Sequence, residues 1–305
     1  MTWVWLPYPD AVDRMGGVPD GIDVDVYDGS GDLPSSADEV QLWVPPYVGA
    51  GPVVRRVIPR LPRLRVLQLL TAGVDSVRSF VPSGVTLCNA RGVHDASTAE
   101  LAVALMLASL RGLPDFVRAQ EEGRWVPAEH LALADRTVLL VGYGSIGQAL
   151  ERRLDGFETH LLRVARRAKD GVEDVEALPD LLPRADVVVL LLPMTDATRG
   201  LVDEGFLSRM HDGALLVNVS RGPIVRTDAL LAELESGRLR AALDVTDPEP
   251  LPAGHPLWKT PGLLLSPHVG GNTSAFLPRA YRLLSAQLRR FAAGDPLENV
   301  VTGDY

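Results

Sequence analysis

One cysteine, Cys88, stands in a chain of 305 residues. No internal disulfide can form, and the sequence fits a reducing, cytoplasmic setting. The opening MTWVWLPYPD has neither a basic n-region nor a long apolar h-region, so no signal peptide is expected. No apolar run approaches the length of a membrane span. Basic runs are missing too, and the net charge is −9. A nucleic-acid groove needs the opposite balance; acidity of this degree bears on solubility. The six histidines are scattered, with no HxxxH or Cys/His spacing, so no metal centre is expected. There is no internal repeat or low-complexity tract. What remains is ordinary for a globular chain, with 46% hydrophobic and 23% charged residues in a length that suits two domains.

Residues 137–167 read TVLLVGYGSIGQALERRLDGFETHLLRVARR. The run 138–141 is apolar and β-branched, as in a buried strand. It leads into Gly142-Tyr-Gly144-Ser145-Ile146-Gly147, and 146–154 then reads as a helix. A second strand follows at 161–164. Strand, glycine turn, helix and strand form the context in which GxGxxG binds a dinucleotide. Gly142 allows the tight turn, Gly144 lets a pyrophosphate approach the backbone, and Gly147 lets helix and strand pack closely. The helix start offers N–H groups and a positive dipole end to the phosphates.

Before this stretch, residues 1–92 repeat a strand-then-helix rhythm, with strands expected at 3–6, 24–27, 41–44, 66–70 and 85–87 and a helix at 53–58. A second, smaller parallel domain follows from that rhythm. Thr71-Ala-Gly73-Val74-Asp75 comes after the fourth strand, where backbone N–H groups can meet an anion. A helix capped by Ser97 or Thr98 is expected through Leu110, apolar nearly all round and so buried, with Gly92 as a hinge before it. Residues 113–136 carry no clear pattern and read as an arm or loop, with Trp125 as a packing residue.

After it, strands at 186–192 (stopped by Pro193), 215–219, 241–245 and 263–266 alternate with helices at 175–182, 203–210 and 228–236. This is a doubly wound parallel sheet. A terminal amphipathic helix, 281–292, is expected to return to the N-terminal domain. Arg221, Glu249 and His268 each follow the end of a successive strand. Ligands of an open parallel sheet bind outside those carboxyl ends. Arginine can hold a carboxylate by two parallel bonds. Histidine passes a proton near neutral pH, and a carboxylate on its far nitrogen fixes the tautomer and favours the imidazolium.

With these residues in hand, the chain resembles the D-2-hydroxyacid dehydrogenases along nearly its whole length. The marks are Ala72-Gly-Val-Asp75, Ala99-Glu100, Gly142-Tyr-Gly-Ser-Ile-Gly147, Asn218-Val-Ser-Arg-Gly-Pro223, Asp244-Val with Glu249-Pro-Leu251, and Ser266-Pro-His-Val-Gly-Gly271. The resemblance implies an α/β fold of two doubly wound parallel-sheet domains. One is a flavodoxin-like substrate domain (1–92 and 276–305), the other an inserted Rossmann-like cofactor domain (93–275). It implies an active site between them, domain closure, and a homodimer built through the cofactor domains. Arg221, Glu249 and His268 fall on the family's catalytic residues. Gly73 and Val74, with Arg221 and His268, fall on the substrate site, and Asp244 lies near the nicotinamide amide. The cofactor-binding set is Gly142, Gly144, Ser145, Ile146, Gly147, Arg166, Arg167, Pro193 and Asp244.

Departures from the family pattern sharpen the expectation. NAD-using members carry an acid at the end of the second cofactor-domain strand; here the sequence is Val164-Ala165-Arg166-Arg167. In this the chain is similar to the glyoxylate/hydroxypyruvate reductases that use NADP, so NADP(H) is expected over NAD(H). Formate dehydrogenases have glutamine where Glu249 stands. Phosphoglycerate dehydrogenases place basic residues in a loop that here reads Pro45-Pro-Tyr-Val-Gly-Ala50. The expected activity is hydride transfer between a nicotinamide and a small 2-oxoacid such as glyoxylate or hydroxypyruvate. A cofactor-sensing protein of the same fold and a phosphite-type oxyanion dehydrogenase are the alternatives.

Overall fold

Short apolar runs broken by glycine- and proline-rich turns build two parallel sheets in a computed structural model that describes residues 2–303. The chain divides into two compact units, Met1–His94 with Ser274–Tyr305, and Asp95–Thr273.

The first unit begins with β1 (Thr2–Leu6), α1 (Ala11–Met15), β2 (Ile22–Val26), β3 (Val40–Trp43), α2 (Ala50–Val57), β4 (Val66–Gln68) and β5 (Thr86–Cys88). Its strands run in the order β2-β1-β3-β4-β5, all parallel. This is the flavodoxin-like order, whose direction switches between β1 and β3. Side chains alternate between faces. Val4, Leu6, Leu42 and Val66 line one core, and Trp5, Trp43 and Leu67 line the other. Beyond β3, Tyr47 stacks on His94 and on Phe276, with ring centroids 5.4 and 4.3 Å away.

The second unit holds α3 (Asp95–Leu110), α4 (Leu113–Glu121), β6 (Thr137–Val141), α5 (Ser145–Leu154), β7 (His160–Ala165), β8 (Glu173–Asp174) and α6 (Leu178–Leu181). It continues through β9 (Val187–Leu190), α7 (Glu204–Arg209), β10 (Leu215–Asn218), α8 (Thr227–Glu235), β11 (Arg240–Leu243) and β12 (Leu263–Leu265). The sheet order is β12-β11-β10-β9-β6-β7-β8, again parallel. The order reverses between β6 and β9, so the crevice for a ligand lies at their carboxyl ends. Leu139, Val141, Val188 and Leu190 pack with α6, α7 and α8, while Val138, Leu140, Val187 and Val189 pack with α3 and α5. Strands covered on both faces read as continuous apolar runs for this reason.

The chain then returns to the first unit as α9 (Phe276–Ala293). Tyr281 donates to Asp10 Oδ1 at 3.1 Å, and Gln287 donates to the buried Gln68 amide of β4 at 2.7 Å. Among the described residues no single helix is long and apolar enough to cross a membrane.

Several local expectations need correction. Residues 113–121 are helical, not irregular. Trp125 is 96% exposed, so it is not a packing residue among the described residues. The long helix starts at Asp95, so Ser97 and Thr98 do not cap it. They are buried inside it, bonded to Thr273 Oγ1 at 2.7 Å and to the Gly270 carbonyl at 3.5 Å. The strand expected at 186–192 ends at Leu190, before the turn that meets Gly142. The last helix begins at Phe276, five residues earlier than its amphipathic pattern suggested.

Candidate active site

The glycine turn sits where the second unit's sheet reverses. Gly142 and Tyr143 both donate their N–H to the Val164 carbonyl, at 2.9 and 3.0 Å, which ties the turn to the end of β7. Gly142 has φ +104, and a Cβ there would lie 2.7 Å from the Leu191 carbonyl group. Only glycine tolerates both the conformation and the approach. Gly144 is different: a Cβ there meets nothing within 4 Å, so its surface is open to a ligand. No side chain caps α5, and the N–H groups of its first turn face outward from a helix that starts at Ser145. The Ser145 hydroxyl is engaged elsewhere, donating to Asp95 Oδ1 at 3.2 Å, which leaves its backbone for a phosphate. An open glycine, an uncapped helix start and a switch point fit a dinucleotide pyrophosphate. Arg166 and Arg167 follow β7 directly and are exposed. Among the described residues neither makes an ion pair. Pro193 lies beyond β9, its carbonyl accepting from Thr198 Oγ1 at 2.7 Å.

Three loops carry the other candidates. After β10, Asn218 is buried and holds the next turn, accepting from Ser220 N and Oγ at 3.0 and 2.7 Å and donating to the Arg221 carbonyl at 3.0 Å. Arg221 Nη1 donates to the Ser220 carbonyl at 2.7 Å. Gly222 lets this loop touch the one after β11, because a Cβ there would sit 1.9 Å from the Thr246 carbonyl oxygen. After β11 comes Glu249, and after β12 comes His268. Glu249 Oε1 and His268 Nδ1 are 2.5 Å apart, both side chains partly exposed. The bond from Glu249 lifts the His268 pKa above its ordinary value, against the opposing effects of burial and Arg221. The same bond holds the Glu249 carboxyl below its ordinary range, with Arg221 contributing in the same direction. Both shifts favour the ionised pair, with Nε2 left for a substrate.

His268 has φ +52, an unusual conformation for a non-glycine residue. Such strain costs on the order of 1–3 kcal/mol and persists only where the surroundings enforce it. Asp244 enforces it here. Its carbonyl accepts the His268 N–H at 2.7 Å. Its carboxylate, 2% exposed, accepts from Ser266 Oγ at 2.6 Å and from the N–H groups of Val269 and Gly270, each at 2.9 Å. Sequence reasoning set Asp244 beside a nicotinamide and missed this grip on the histidine loop. It also missed the holding role of Asn218 and the close approach at Gly222. The available signal was a buried polar residue closing an apolar strand, as both Asn218 and Asp244 do. Gly73 and Val74 belong to the first unit, in a turn held by Thr71 Oγ1 on the Gly73 carbonyl at 2.7 Å and Asn89 Nδ2 on the Ala72 carbonyl at 2.9 Å. Neither Gly73 nor Val74 donates its N–H to another group among the described residues. Among those residues, too, no cluster of side chains has the make-up of a metal site.

A phosphate-ready turn at the switch point and a charged Glu–His pair beside an arginine define an oxidoreductase that works with a nicotinamide dinucleotide. The comparisons give the family. A model described as "D-isomer specific 2-hydroxyacid dehydrogenase, NAD binding domain" matches residues 103–270. The human glyoxylate reductase/hydroxypyruvate reductase is 32% identical over 248 residues, 77% of this chain and 76% of that protein. A D-3-phosphoglycerate dehydrogenase of Methanocaldococcus jannaschii is 30% identical over 260 residues, 82% of this chain and 49% of that one. The crystal structure of a D-isomer specific 2-hydroxyacid dehydrogenase from Xanthobacter autotrophicus Py2, in complex with NADPH and MES, superposes with TM-score 0.81 at 31% identity, covering 98% of each chain. The chain belongs to the D-isomer specific 2-hydroxyacid dehydrogenases.

Proposed function

We propose that the enzyme is an NADPH-preferring reductase of small, unphosphorylated 2-oxoacids such as glyoxylate or hydroxypyruvate. The observation that carries the cofactor preference is the exposed Arg166–Arg167 pair directly after Ala165, where an acid would repel a 2′-phosphate and none stands. The similar Xanthobacter enzyme crystallised with NADPH supports it. The cofactor supplies a hydride to the substrate's C2. Arg221 holds the substrate carboxylate and polarises the carbonyl. His268 gives the proton on Nε2 to the carbonyl oxygen, and takes it back in oxidation. Glu249 keeps the imidazole charged and oriented until that transfer. Asp244 holds the loop that presents it. In the first unit, the Gly73 and Val74 N–H groups are proposed to receive a carboxylate.

The substrate reading rests on the uncharged loop 45–50, whose Tyr47 is engaged in an aromatic stack, and on similarity to glyoxylate reductases. A phosphorylated substrate would need donors that this loop lacks. Cys88 is buried and unpaired in a disulfide, which agrees with a cytoplasmic setting. The test is oxidation of NADPH and NADH against a panel of 2-oxoacids that includes 3-phosphohydroxypyruvate. Glyoxylate or hydroxypyruvate with NADPH should give the highest kcat/KM. Preference for the phosphorylated acid ends the substrate reading; preference for NADH ends the cofactor reading.

A further inference from the structure

The glycine turn carries a tyrosine at its second position. Tyr143, Gly147 and Glu151 are spaced by four, so they share one face of α5 and of the turn before it. The Tyr143 ring lies along that face. A Cβ at Gly147 would come within 3.2 Å of Tyr143 Cδ2, so the absent side chain seats the ring. At its far end the Tyr143 hydroxyl donates to Glu151 Oε2. Arg163 of β7 closes the set: Nε donates to Glu151 Oε1 at 2.9 Å, Nη2 donates to the same oxygen, and the guanidinium carbon lies 6.0 Å from the ring centroid. Arg163 holds the Glu151 carboxyl below its ordinary range, and Glu151 raises the Tyr143 phenol. The charge-assisted tie therefore persists across the neutral range.

This cluster sits beside the cofactor turn. The Tyr143 N–H is bonded to Val164, one residue before Ala165 and two before Arg166. Arg163 and Ala165, two apart on β7, point to the same face of the sheet. A tyrosine without its tie would be free to turn across Ala165.

We propose that Glu151 is a positioning residue of the cofactor site: with Arg163 it holds the Tyr143 ring down on Gly147 and keeps the edge beside Ala165 and Arg166 open to the adenosine ribose of a nicotinamide dinucleotide. The proposal rests on the reading that this turn takes the cofactor, but not on the preference for NADPH, because NADH carries the same ribose.

Fluorescence titration of the full chain with NADPH and with NADH, without substrate, tests it. Glu151→Ala should weaken both about tenfold, the size expected for a lost charge-assisted bond. Glu151→Gln keeps one acceptor oxygen for Tyr143 or Arg163 but not the charge, so it should recover part of that loss. Tyr143→Phe deletes one hydroxyl from a partly exposed ring, so it folds and isolates the tie; it should weaken both cofactors by a few-fold. In turnover the loss should read in the cofactor KM more than in kcat. Parental affinity in Glu151→Ala and Tyr143→Phe overturns the proposal, and so does a Glu151→Gln no better than Ala. A parent chain that binds neither dinucleotide overturns the reading beneath it as well.

Discussion

Glu249 and His268 share one proton across 2.5 Å. The histidine pKa is raised and the glutamate pKa lowered, so the charged pair exists above the lowered value and below the raised one. In the proposed mechanism reduction needs the protonated imidazole, so it should fail as pH rises through the raised pKa. Glu249→Gln removes the charge that raises it, so the falling limb of kcat/KM for reduction should move to lower pH; an unmoved profile would dismiss the pairing. His268→Ala should cost about 10²–10⁴ in kcat while dinucleotide binding survives, as for a positioned acid–base group. The arginines after β7 answer a different question. Losing a charge-assisted bond of about 1.5–3 kcal/mol should weaken NADPH roughly 10- to 100-fold. Arg166→Ala with Arg167→Ala should therefore lose NADPH and nearly spare NADH. Equal losses would place the 2′-phosphate elsewhere.

Among the elements, the loop after β10 depends on one missing side chain. At Gly222 a Cβ would meet the Thr246 carbonyl oxygen at 1.9 Å, and backbone cannot swing aside as a long side chain can. Gly222→Ala should push the Arg221 loop from the Glu249 loop, costing roughly 1–3 kcal/mol of stability and proportionally more activity. Thermal melts and kcat/KM on one sample separate the two; a parental melt with parental turnover would contradict the geometry. Apart from the two-residue edge strand β8, which no apolar run marks, the strands of both sheets were legible because runs such as Val138–Val141 are buried on both faces and leave nothing polar to confuse the pattern. The strand-end positions of Arg221, Glu249 and His268 were legible for the same reason. Side-chain ties between distant segments were not. Asp244 reaches Gly270 across a loop, Glu151 of α5 reaches Arg163 on β7, and no local period encodes either. The helix Leu113–Glu121 escaped because its nine residues expose Leu113, Phe116 and Val117 where a core face would be expected. Ser97 and Thr98 misled in the opposite sense, being residues that favour helix starts but serve here as buried hydroxyls bonded to the segment at Gly270 and Thr273.

For the whole molecule, that exposed helix bears on assembly. Leu113, Phe116, Val117, Trp125, Val126 and Leu131 all lie uncovered in one stretch of the second unit. Apolar surface of this kind marks contact surfaces, and the family resemblance implies a homodimer built through the cofactor-binding unit. The parent should sediment as a dimer, and Phe116→Ser with Trp125→Ser should give a monomer; a monomeric parent would end that expectation. The path of the chain carries a further consequence, for synthesis. The first unit needs residues from both ends, since α9 supplies Tyr281, Leu284 and Leu288 to its core and Gln287 to the Gln68 amide in the middle of its sheet. On the ribosome, which delivers about 5–20 residues each second and favours folding domain by domain, Asp95–Thr273 is complete in sequence first. The early strands must wait as an unfinished sheet, Gln68 still lacking its partner, until the last helix emerges. The unit begun before Asp95–Thr273 is thus the unit that finishes after it.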